Sequence, residues 1–382
     1  MNFITSIVGH CSKAWRPASG VNSVLLTVML WSTSWMVSAS EKINVTFVSP
    51  NPPGTGYWQH YDNAMHAAAD KLNINLTIIH SRDLDRFAYM ESLSKVDLEE
   101  TDYAIALLKV NVADKLLKMF EQSNVKLITN NIEIPEQHAQ QIGLPRQKYK
   151  NWIGHVIPDD YDAGKLLASE LLKHYKAKQS DPIGIVALSG SRDASVSYLR
   201  NKGLSDLIAN NGNFRLEQVI YTDWKYQTAK QKFAGLIKRY PNTKVIWCAS
   251  DEIAQAVLDE LNANNALNDY RVGSIDWSQS GVNLFGQTGY ITSVGGHFLE
   301  GGLILSLLRD YHDGIDFEQD LGSRLLIKMG ALNRQNLKQV EDLIFYDNWE
   351  KLNFRLLSKS FGGDPTLLKN DYPQLLDQIY DK

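Results

Sequence analysis

Apolar residues in this chain come in short unbroken runs, each followed by a segment in which they recur at helical spacing. The stretch Lys244 to Leu261 shows the unit. Val245 to Ala249 is an apolar run, the pattern of a strand buried on both faces. Ser250-Asp251 follows at once, and Ile253, Ala254, Val257, Leu258 and Leu261 then share one helical face. Ser250 or Asp251 can cap that helix by accepting its first free N–H groups. Side chains at this turn would also sit at the carboxyl end of a parallel strand, where open α/β sheets hold ligands.

The unit recurs on both sides. Strands are expected at Ile43–Val48, Asn75–Ile79, Tyr103–Leu108, Val125–Thr129 and Ile153–Ile157, with helices near 57–72, 87–96, 112–120 and 160–175. A polar stretch at 176–181 precedes a second run. Its strands are expected at 183–188, 216–221, 245–249, 272–275 and 291–294, and its helices near 195–209, 228–239 and 299–313. Residues 135–151 interrupt the first run as an excursion rich in Gln and Lys. Two such runs predict an α/β protein of two lobes with mostly parallel sheets, since parallel strands need helical crossovers. The lobes are expected at 40–157, with a return segment near 291–313, and at 158–290. Residues 314–382 lose the period; a last strand at 325–328 and helical segments at 337–343 and 367–380 read as a tail packed on the lobes.

The first 39 residues differ from the rest. They carry Lys13 and Arg16 but no Asp or Glu, then the apolar stretch Val21 to Val37, then Val37-Ser38-Ala39, a small-residue cleavage pattern. The most apolar part, Val24 to Trp31, is short for a membrane span. An exported protein with a cleaved leader at 1–39 is expected. Cleavage leaves 382 − 39 = 343 residues and moves the formal net charge from -4 to -6. A mildly acidic chain without basic clusters is a poor nucleic-acid binder. Cys248 would be the one mature cysteine, inside an expected strand, so an inert core thiol is expected.

Polar and aromatic residues follow the strand ends. Asn51, Tyr57 and Trp58 follow the first, and Asn131 the fourth. In the second run come Ser189 and Ser191 with Arg200 beyond, then Trp224, then Ser250 and Asp251, then Asp276 and Trp277, then His297. Indole faces offer apolar contact to the C–H side of a sugar-like ring, and Asn, Asp and Arg supply paired donors and acceptors for hydroxyls. A core position is the competing reading for each of Trp58, Trp224 and Trp277. Asp159-Asp160 reads as a helix cap ahead of a carboxylate pair. Gly54-Thr-Gly56 fails the dinucleotide fingerprint because Gln59 stands at its third glycine, and neither a phosphate-binding GxxxxGK[ST] loop nor a GxSxG elbow is present. No cofactor, metal site or catalytic constellation is expected.

The order of these elements resembles the type I periplasmic binding proteins of the ribose- and galactose-binding class, over about residues 42 to 330. Tyr57-Trp58 is similar to that family's aromatic pair. Asp160-Tyr-Asp-Ala-Gly164 resembles its Asp-x-x-Ala-Gly, Arg200-Asn-Lys-Gly-Leu204 its Arg-x-x-Gly-Phe, Ala249-Ser250-Asp251 its Ala-x-Asn-Asp, and Gly273-Ser-Ile-Asp276 its Gly-x-Asp. The resemblance implies two Rossmann-like lobes joined by a hinge, with a ligand cleft between them. It implies ring stacking by Trp58 and Trp224, and hydrogen bonding by Asn131, Arg200, Ser250 and Asp276. Gly296 stands where the family has a further polar group, so His297 is expected to substitute. The autoinducer-2 receptor branch is also similar at Tyr57-Trp58, Asn131, Arg200 and Cys248-Ala-Ser-Asp251, but its second arginine has no counterpart near Gly295-Gly296. The implied function is that of an exported, monomeric, non-enzymatic protein that binds a small sugar-like ligand. It would present that ligand to a membrane permease or to the periplasmic domain of a sensor kinase. A periplasmic sugar-acting enzyme using Asp251 or Asp276 as base is the alternative.

Overall fold

The computed structural model describes residues 42–54, 56–83, 85–110, 112–175 and 182–381. The expected leader at 1–39 and the polar stretch at 176–181 lie outside the described residues. Strands β1 (Ile43–Ser49), β2 (Ile74–His80), β3 (Tyr103–Leu107), β4 (Lys126–Asn130) and β5 (Trp152–Pro158) alternate with helices α1 (Gly56–Leu72), α2 (Arg86–Leu93), α3 (Ala113–Glu121) and α4 (Glu136–Ile142). Helix α5 (Asp160–Leu172) opens the second run. It continues through β6 (Ile183–Ser189), α6 (Ser195–Ala209), β7 (Phe214–Tyr221), α7 (Tyr226–Arg239), β8 (Thr243–Cys248), α8 (Asp251–Ala263), β9 (Arg271–Asp276), α9 (Gln279–Leu284) and β10 (Tyr290–Gly295). Then follow α10 (Glu300–His312), α11 (Glu318–Leu321), β11 (Arg324–Ile327), β12 (Gly330–Ala331), α12 (Arg334–Tyr346) and α13 (Tyr372–Ile379).

Two six-stranded sheets result, ordered β11-β5-β4-β3-β1-β2 and β12-β10-β9-β8-β6-β7. Every pairing is parallel except β10 with β12. The interior strands β3 and β6 are buried along their whole length, whereas β2 and β7 at the outer edges are partly exposed. That is why the interior strands read as unbroken apolar runs. The chain is therefore a two-lobed α/β protein with one mostly parallel sheet per lobe.

The chain passes between the lobes three times. After β5 it enters α5, which packs on α6, β9 and β10; after β10 it enters α10, which packs on α1; and β11 of the first sheet leads directly to β12 of the second. The tail then touches both lobes. Helix α12 packs on α9, a run of 3-10 turns from Trp349 to Lys369 lies against α1, α10 and α11, and α13 returns to β12 and α12.

Local differences from the sequence reading have simple causes. The excursion at 135–151 contains α4, a short helix with a largely exposed surface. Helix α9 is only six residues long, too short to display a period. Helix α12 starts three residues before the apolar repeat, because Asn333 caps it through a reciprocal capping box with Asn336. Helix α13 begins only after Asp371, which caps it, with Pro373 in its first turn.

Candidate functional site

The C-terminal ends of both sheets face the region of the crossovers. The second lobe's contribution is set by a close crossing of α5 and α6. A Cβ on Gly164 would strike the backbone of Arg200, and one on Gly203 the backbone of Tyr161, so only glycine allows the two helices this separation. The crossing lays Arg200 against Asp160. The guanidinium Nε donates to Asp160 Oδ1 at 2.8 Å and an Nη donates to the Ala249 carbonyl at 2.7 Å; the same Nη lies 3.4 Å from Asp276 Oδ1. Arg200 is 4% exposed and Asp160 1%. Burial works against the Arg200 charge, but Asp160 and Asp276 more than offset it and hold the cation firmly protonated. Burial pushes Asp160 up to about 6, with Arg200 limiting the rise, and pushes Asp276 further upward against the same cation.

The remaining groups extend this cluster. The Arg200 guanidinium lies 6.0 Å from the Trp224 ring centroid, within cation–π range. Trp224 lies flat over Gly190, where any Cβ would collide with the indole. His297, on the second crossover, places Nε2 3.7 Å from Asp276 Oδ1. Burial, aided by Arg200, lowers the His297 pKa well below its usual value, so the ring is neutral. Tyr57 from the first lobe stacks on His297 at 4.5 Å and 27°, and Trp58 stands edge-on to Tyr57 at 5.2 Å. Asn131 donates from Nδ2 to the Tyr57 hydroxyl at 3.3 Å. Trp58, Tyr57, His297, Asp276, Arg200 and Trp224 thus form one continuous series of contacts from lobe to lobe. Three of the assembled residues, Asn131, Trp224 and Asp276, have positive φ of 62°, 61° and 146°. Non-glycine residues hold such angles only where the surroundings over-determine them, and these cluster at functional sites.

Two expected site residues belong instead to the interior of the second lobe. Asp251 is fully buried, and its carboxylate is already saturated. Oδ1 accepts from Ser274 Oγ at 2.5 Å and Ser293 Oγ at 2.7 Å, and Oδ2 accepts from Ser278 N at 2.8 Å and Ser278 Oγ at 3.0 Å. Trp277 is fully buried too, with Nε1 donating to the Ser293 carbonyl at 3.0 Å. Ser250 is the cap of α8 and lies mostly buried beside Ala249. Asn51 and Ser191 are half-buried on the loops after β1 and β6.

Asp159, not Asp160, caps α5 by accepting from Asp162 N. Asp160 is thereby free to pair with Arg200, a role its sequence position did not reveal. Glu300 was also not legible in the sequence. It is fully buried in α10, between the hydroxyls of Tyr61 at 3.5 Å and Tyr372 at 3.3 Å. Among the described residues no cluster of three or more His, Cys, Asp or Glu could hold a metal ion.

Comparison with known proteins places this geometry. No curated protein matches the chain significantly. Among solved structures, a periplasmic sugar-binding protein from Pseudomonas fluorescens is 25% identical, with a TM-score of 0.76 over 87% of this chain and 99% of its own. A Mycobacterium smegmatis protein in complex with β-D-fucofuranose is 15% identical, with a TM-score of 0.66 over 80% of this chain and 96% of its own. The arabinose ABC transporter's periplasmic binding component from Shewanella, bound to α- and β-L-arabinofuranose, is 14% identical, with a TM-score of 0.66 over 80% and 97%. The profile of the family described as "Periplasmic binding protein domain" matches residues 45–297, about two-thirds of the sequence. The chain belongs to that periplasmic binding protein family.

Proposed function

We propose that the protein binds a neutral sugar between its two lobes and, once exported, carries it to a membrane partner. The observation that carries this reading is the unbroken series of side chains from Trp58 through His297 to Trp224. The rings suit the C–H faces of a sugar, and Asn131, Arg200, Asp160 and Asp276 suit its hydroxyls. The charge balance favours an uncharged ligand. Arg200 already faces two carboxylates, so a phosphate or a uronate would meet no uncompensated cation there. The sugar-binding relatives support the same class. Ligand contact with both lobes would shift the population toward a closed form, the three crossovers acting as the hinge. The partner is a membrane permease or a sensor's periplasmic domain.

A thermal-shift screen of pentoses, hexoses and furanosides against the mature protein tests this. A bound sugar at a hundred times its Kd should add about 2.7 kcal/mol of apparent stability. Trp224→Ala should abolish the response. Stabilisation by sugar phosphates or uronates alone, or an unchanged response in Trp224→Ala, would sink the assigned cleft.

A further inference from the structure

The tail beyond the family-matched region reaches the crossovers at the start of α13. Tyr372, the first residue of α13, is fully buried. Its N–H donates to the carbonyl of Lys328 at 2.9 Å, on the third crossover. Its Cβ occupies the space a side chain at Gly296 would need, on the second crossover, where Gly296 adopts φ 105°. The following Pro373 fills the equivalent space at Gly330. The Tyr372 hydroxyl donates to Glu300 Oε2, at the start of a helix of the first lobe.

From Glu300 the contacts run to the floor of the proposed cleft. Tyr61 donates to the other carboxylate oxygen and accepts from Asn130 Nδ2 at 2.5 Å. Asn130 adjoins Asn131, whose side chain holds the Tyr57 hydroxyl. Glu300 is thus a buried carboxylate whose position depends on two phenols, one from each end of the chain. Removing one partner from such a group is costly, so the phenols and Glu300 hold one another in place. The far end of the tail is fixed independently: Asn353 N donates to the Ile379 carbonyl at 2.6 Å, Asp381 N donates to the Lys351 carbonyl at 2.8 Å, and Tyr380 donates to Asp342.

We propose that Tyr372 is a positioning residue of the hinge, joining two crossovers to the Glu300–Tyr61–Asn130 network and so setting the balance between open and closed lobes. The proposal rests on the reading that the lobes move, but not on the ligand's identity. Family membership does not supply it, because the matched region ends at residue 297, before both Glu300 and Tyr372.

The test uses ligand-free mature protein with spin labels at Lys115→Cys and Gln231→Cys, exposed positions on α3 and α7 in opposite lobes, leaving buried Cys248 unlabelled. Pulsed electron–electron distance measurement reads the open-to-closed ratio. Tyr372→Phe, which keeps the ring and deletes the hydroxyl, should change that ratio about five-fold, the effect of one buried hydrogen bond. Pro373→Ala should shift it in the same direction. Tyr380→Phe, which deletes a tail hydroxyl away from the crossovers, should leave it as in the parent. A ratio unchanged in both Tyr372→Phe and Pro373→Ala, or an equal shift in Tyr380→Phe, would overturn the proposal. Because no sugar is present, a failed sugar screen and a failed hinge test are distinguishable.

Discussion

Two sets of buried carboxylates, one on each side of the candidate site, are held differently. The second lobe buries three carboxylates near its strand ends, each beside a cation or hydrogen-bond donors. Asp160 and Asp276 face Arg200, and Asp251 accepts four hydrogen bonds from serines. The first lobe presents rings and an amide to the same region, and its buried Asp62 on α1 has little support. The Asp62 carboxylate lies 3.8 Å from His80 Nε2, beyond hydrogen-bond reach, and Oδ1 has no hydrogen-bond partner among the described residues. The second lobe's half of the candidate site is therefore assembled within one lobe and ready before any ligand arrives. The aromatic half meets it through the crossover residue His297. On the proposed reading, the ion cluster would select the hydroxyl pattern and the ring wall would accept the ligand's face.

The largest expected effect comes from breaking the compensated side. Arg200→Ala leaves two carboxylates buried without their cation, which costs about 3–5 kcal/mol. The sign with pH is definite. Asp160 has a folded pKa of about 6, above its value in the unfolded chain, so its proton is favoured by the folded form and stability is lost as pH rises through that range. Without Arg200 both carboxylates rise further. The variant's deficit should be greater at pH 8 than at pH 5 in urea unfolding, and a loss independent of pH would show that the cluster is not held together by charge.

A smaller effect should follow from forcing α5 and α6 apart. Gly164→Ala places a Cβ on the Arg200 backbone and should cost about 1–3 kcal/mol by overpacking. It should also weaken the response to sugar, because the crossing is what sets Asp160 against Arg200. Gly235→Ala on α7 is the control. A Cβ there meets nothing within 4 Å, so the higher helix propensity of alanine should stabilise by up to about 1 kcal/mol. Equal melting shifts for the two variants would remove the packing argument.

How much of this was legible in the sequence depended on how local each cause is. Strand burial on two faces writes itself as an apolar run, so the alternation of β1 to β10 with their helices was readable. Trp58, Arg200, Trp224 and Asp276 were readable as candidates because they follow strand ends. By position alone Trp224 and Trp277 looked alike, each standing after a strand and an Asp, and the family resemblance assigned stacking to Trp224 only. Their fates differ because Trp224 lies over Gly190, on the next strand's loop, whereas Trp277 donates to Ser293 inside the lobe. Asp160 was masked by its neighbour: two successive Asp residues before a helix both look like caps, and only the helix crossing assigns one of them to Arg200. Glu300 had no local signal at all, since Tyr372 lies 72 residues further along the chain.

The smallest expected effect tests the uncompensated side. Asp62 is 6% exposed, and burial raises its pKa from 3.8 to about 7. The folded protein therefore prefers this group protonated. Stability associated with it is fully present below about pH 4, is lost as pH rises toward 7, and is level above that. Asp62→Asn removes the titration while keeping the shape. The variant should be indistinguishable from the parent near pH 4 and more stable at pH 8, the difference opening between those limits in thermal melts. The second lobe offers the matching control, because Asp251→Asn turns one accepting oxygen into a donor, breaks either the bonds from Ser274 and Ser293 or those from Ser278, and should destabilise at pH 8 instead. Opposite signs for two isosteric changes at two buried carboxylates would establish that Asp251 and Asp62 differ in compensation. The same sign for both would mean that burial alone governs them.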